Sequence, residues 1–130
     1  MDEHLELLVK YKFQKRLEKL NKKLKNKKIL IYGTGMFFKK IKNNYDLSNL
    51  NIVAVSDKKY ALNEKGSLDM GYEIVPFDDI VEYNPDYILI ATLNVFEIFT
   101  CLKKITKGTK IKVAPLVDKP FWDLLKEIFV

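Results

Sequence analysis

The first 26 residues contain neither glycine nor proline. Apolar side chains recur at Leu5, Val9, Phe13, Leu17, Leu20 and Leu24, and lysines fill the other faces. That stripe predicts one long basic amphipathic helix over residues 1–27, docked on the domain that follows or on a second copy of the chain. Beyond it the period changes. Lys28 to Tyr32 and Asn51 to Asp57 read as short strands, and Asp86 to Thr92 is the clearest one, apolar on both faces as expected of a central parallel strand. Gly71 to Pro76 and Lys110 to Val113 read as two further strands. Helical spacing occupies Met36 to Asn44, with Phe38, Ile41 and Tyr45 on one face, and Asn94 to Ile105, with Asn94 and Glu97 in capping-box positions. A short helix is expected over Phe77 to Tyr83, and a last one from Lys119, with Asp118 as cap, Pro120 in its first turn and Trp122, Leu125 and Phe129 on one face. Lys58 to Met70 is polar and reads as a loop. Strands alternating with helices predict an α/β fold: a three-layer sandwich around about five parallel strands in the order 3-2-1-4-5.

In such a sheet the ligand site gathers at the C-terminal strand ends, near the point where strand order reverses. The first strand runs into Gly33-Thr34-Gly35, and the second ends in Asp57, 24 residues after Gly33. Glycines permit a sharp turn and a close approach to phosphate, and the free N–H groups of the next helix, around Met36 and Phe37, attract anions. An acid about 20 residues on accepts hydrogen bonds from a ribose diol. The third glycine of the dinucleotide fingerprint would stand at position 38, which is Phe38. The plainer reading makes Gly33 and Gly35 a tight turn and Asp57 an ordinary polar strand end.

The segments KKILIYGTGMFFKKI, NIVAVSDKK, GYEIVPFDDI and PDYILIAT resemble the Rossmann-like module of bacterial nucleotide-sugar enzymes. Similar modules begin the polysaccharide-biosynthesis dehydratases and epimerases and the acyltransferases that modify nucleotide sugars. The resemblance covers about residues 27–117. It implies that Gly33, Thr34 and Gly35 face a nucleotide diphosphate, that Asp57 faces the ribose or uridine, and that Thr92 lines the cleft. A UDP-sugar or NAD(P) is the ligand it implies.

Composition narrows the partners. The chain has 130 residues, enough for a single domain, with residues 1–27 as the helix and 28–130 as the module. Its net charge is +6, yet residues 1–28 hold ten basic and four acidic side chains, and the remainder holds thirteen of each. Only Arg16 among the basic residues is an arginine, which disfavours a nucleic-acid reader. No apolar run has the ~20 residues a membrane helix needs. The acidic MDEHLELL start lacks a secretory n-region, and the lone Cys101, expected on an apolar helix face, points to a cytoplasmic protein. One histidine and one cysteine build no Cys/His metal site. His4 stands near a fraying terminus, Tyr11 and Lys15 precede the glycine turn, and no P-loop or nucleophile elbow occurs, so no catalytic constellation is complete. Three functions follow: a nucleotide or nucleotide-sugar binding module tied to surface-polysaccharide metabolism; an assembly module without ligand, dimerising through its first helix; or a subunit or fragment of a dehydratase or epimerase.

Overall fold

A computed structural model describes residues 2–119. It is a mixed α/β fold with one six-stranded, mostly parallel sheet and five α-helices. The strands are β1 (Ile29–Tyr32), β2 (Ile52–Ser56), β3 (Leu68–Asp69), β4 (Tyr72–Ile74), β5 (Tyr87–Ile90) and β6 (Lys112–Pro115). The helices are α1 (Glu3–Lys10), α2 (Phe13–Lys23), α3 (Met36–Asn44), α4 (Ile80–Tyr83) and α5 (Val95–Thr106).

The strand order is β3-β4-β2-β1-β5-β6, which corrects the expectation of five strands in the order 3-2-1-4-5. The unforeseen strand is β3. It pairs antiparallel with β4 at the sheet edge, while β4, β2, β1, β5 and β6 pair in parallel. Two residues inside a polar loop carry no readable alternation, so β3 left no periodic signal.

The long first helix is also corrected. The chain breaks at Tyr11 and Lys12, where Lys12 takes a left-handed conformation (φ 54°) and starts α2 without a side-chain cap. Phe13, Leu17, Leu20 and Leu24 of the predicted stripe are buried, but Leu8 takes the buried place expected of Val9, which is 72 % exposed. A five-residue step from Leu8 to Phe13 would place the two side chains well apart around an unbroken helix. The turn at Lys12 brings both into one core. Asp2 caps α1, accepting from the His4 and Leu5 N–H groups, and its carboxylate meets Lys40 of α3 at 2.8 Å.

Helices cover both sheet faces. On one, Ile29, Ile31, Val55 and Leu89 pack with apolar residues of α1, α2 and α3. On the other, Leu30, Tyr32, Ala54, Ile88 and Ile90 pack with α4 and α5. That two-sided cover explains why every residue of β1 is buried. Leu17 and Leu20, expected to serve either docking or dimerisation, are covered within this chain. The Asn94–Glu97 capping box does not form; the Asn94 amide donates to the Glu97 carboxylate at 3.1 Å instead. The helix expected from Lys119, with Pro120, Trp122, Leu125 and Phe129, lies outside the described residues. Among the described residues no helix is long and apolar enough to cross a membrane.

Candidate functional site

The turn after β1 is built from two glycines with different reasons to be glycine. Gly33 has φ 109°, and a Cβ there would stand 2.6 Å from the Thr92 methyl, so no larger residue fits. Its N–H donates to the Ser56 carbonyl at 2.9 Å, tying the turn to β2. Gly35 is the N-cap of α3, with φ −80° and no side-chain cap. A Cβ on Gly35 would meet nothing within 4 Å. Met36 is exposed, whereas Phe37 turns its ring into the core, 5.4 Å from the His4 ring.

Thr34 is fully buried between them. Its N–H donates to Asp57 Oδ2 at 2.8 Å, and its hydroxyl lies 3.3 Å from the same oxygen. The other Asp57 oxygen accepts from the Lys59 N–H at 3.2 Å. Asp57 therefore clamps the glycine turn as well as lining the space beside it. The network extends through residues with no periodic or motif signal. Tyr60 Oη stands 2.6 Å from Asp69 Oδ2 and 2.8 Å from Thr34 Oγ1. Having one proton, the phenol donates to the carboxylate, and the threonine hydroxyl supplies the second bond. Lys59 Nζ donates to the Thr34 carbonyl at 3.1 Å and pairs with Asp69 at 3.8 Å. Burial, then the bond to Asp69, pushes the Tyr60 phenol well above its ordinary value.

Beside Asp57 lies a cleft of about 370 Å³, at the C-terminal ends of β1, β2 and β4 and against α5, with none of residues 33–37 among its walls. Tyr32, Asp57, Tyr60, Phe77, Asp78 and Cys101 are among its walls. Cys101, expected to sit in the core, is partly exposed there instead. Asp79 pairs with Lys65 at 3.4 Å. Thr92 lies beside Gly33 rather than among the cleft walls, its hydroxyl buried and without a hydrogen-bond partner among the described residues. The described residues include no group of histidine, cysteine and acidic side chains placed to hold a metal ion.

The structure thus joins Thr34 to Asp57 and Gly33 to Ser56 by hydrogen bonds, sets Gly35, Met36 and Phe37 at the start of α3, and lays Thr92 against Gly33. The model of the C2185-like N-terminal family matches residues 25–118. The chain belongs to that family. The C2185-like match runs from the end of α2 to just past β6, so it takes in the sheet, α3 to α5 and every residue of the turn and cleft. Helices α1 and α2 precede it. No curated protein and no solved structure matches the chain.

Proposed function

We propose that this domain is a nucleotide or nucleotide-sugar binding module of Rossmann-like design. The ligand's phosphates lie at the start of α3, and its sugar and base reach toward the cleft. Gly35 carries this reading. Serine, threonine or aspartate is the stable choice for an N-cap, and the backbone here would accept any of them. Glycine leaves the first N–H groups of α3 uncapped and unshielded, at the point where the strand order reverses. Such a helix start attracts anions. A UDP-sugar or NAD(P) is the ligand class to test, in keeping with a role in surface-polysaccharide metabolism. A second reading, an assembly module without ligand, draws on Asp57, whose two oxygens already serve the turn.

The deciding experiment is a thermal-shift screen of the wild type and Gly35→Asp against UDP, a UDP-sugar, NAD(H) and NADP(H). A nucleotide at about 100 times its Kd adds ~2.7 kcal/mol, a shift of several degrees. Gly35→Asp should keep or slightly raise the melting temperature of the free protein, because the new carboxylate caps α3. The same carboxylate should abolish the nucleotide shift by repelling phosphate. No shift with any nucleotide would favour the assembly reading.

A further inference from the structure

Two buried hydroxyls at the C-terminal ends of β1 and β2 are not used by the fold. Tyr32 and Ser56 are register partners across β1 and β2. Tyr32 is 2 % exposed and Ser56 is fully buried. Neither hydroxyl has a hydrogen-bond partner among the described residues. A buried hydroxyl left unpaired is costly, and phenylalanine or alanine would avoid that cost at the same positions. Tyr32 is also a cleft wall, with its ring edge-on to Phe77 at 6.1 Å. Asp57 and Cys101 line the same cleft as Tyr32.

The space has the character of a ring site. Tyr60 and Phe77 give it flat apolar sides. Its volume of about 370 Å³ is at the small end of ligand pockets, about 300–1,000 Å³, and suits one ring system with its sugar. We infer that Tyr32 and Ser56 select the base of the bound nucleotide: Tyr32 O–H donates to an acceptor on the ring edge, a carbonyl oxygen or ring nitrogen, and the Ser56 hydroxyl pairs beside it. This inference rests on the nucleotide reading above and names which end of the ligand the cleft takes.

The test uses nucleosides, which lack phosphate, and pyrophosphate, which lacks a base. Uridine, cytidine, adenosine and guanosine are titrated at millimolar concentration while amide NMR signals are followed. At least one nucleoside should move the Ser56, Asp57 and Phe77 amides, and Tyr32→Phe should weaken it about tenfold, with Ser56→Ala acting in the same direction. Free Tyr32→Phe should melt at the wild-type temperature or above, because it loses an unpaired group. The inference is overturned if no nucleoside moves those amides, if Tyr32→Phe binds as the wild type does, or if it melts several degrees lower, which would mean that the hydroxyl holds the fold. Pyrophosphate separates the two claims. If it moves the Met36 and Phe37 amides while every nucleoside fails, the phosphate site stands and the base site falls. If a nucleoside binds and pyrophosphate does not, the cleft stands and the phosphate reading at α3 falls.

Discussion

Gly33 and Asp57 hold one turn from opposite sides, and both are expected to matter for stability before any ligand arrives. Alanine at Gly33 must adopt a left-handed conformation, about 1–2 kcal/mol, and also displace Thr92. Asp57→Ala strips the buried Thr34 N–H of its acceptor, which costs about 1–3 kcal/mol. Urea unfolding should show both variants destabilised by those amounts, with Gly33→Ala the worse. A loss of nucleotide binding in Asp57→Ala would therefore not by itself assign it to ribose, which is why Gly35→Asp is the cleaner probe. At this scale the sequence disclosed the turn and the acid, since glycine spacing and a strand-end carboxylate are local signals. Tyr60 and Asp69 stayed hidden because their partners lie across a loop, and nothing in the order of residues says which side chains a loop will fold back.

Among the elements, α3 and the central strands were readable because burial on one stripe or on both faces writes a period into the chain. The start of α1 was not. Leu5, Leu7, Leu8 and Val9 are all apolar, so more than one helical stripe can be drawn through them. The choice was made by packing, which buries Leu8 against the α3 side of the sheet and leaves Val9 outside. The two residues now make opposite predictions. Leu8→Ala should cost about 2–5 kcal/mol by opening a cavity, and Val9→Ala should change stability by less than about 0.5 kcal/mol. Denaturant midpoints of the pair would show which stripe the folded protein uses; equal losses would restore the single straight helix.

Taken whole, the molecule keeps tyrosine protons that an unfolded chain would release. Burial, with the charges of Asp57 and Cys101, pushes Tyr32 up to about 12, and burial raises Tyr60, Tyr72 and Tyr83 in the same direction. Between the ordinary tyrosine value near 10 and these raised values, the folded state binds more protons than the unfolded one. Stability is then full below about pH 10 and falls as pH climbs toward 12. Urea unfolding from pH 8 to 11 should show the decline, and Tyr60→Phe should make it shallower. The α/β class was legible in the alternation of periods, whereas the edge strand β3 was not, because two residues are too few to alternate. A last consequence concerns synthesis. Arg16 on α2 donates to the Pro115 carbonyl at the end of β6, 99 residues later, and the leucines of α2 share a core with Leu116 and Val117. At about 5–20 residues per second the ribosome takes ~5–20 s to make that stretch. Until then a lysine-rich segment waits with its leucines uncovered, and the docking of α2 is among the last events of folding.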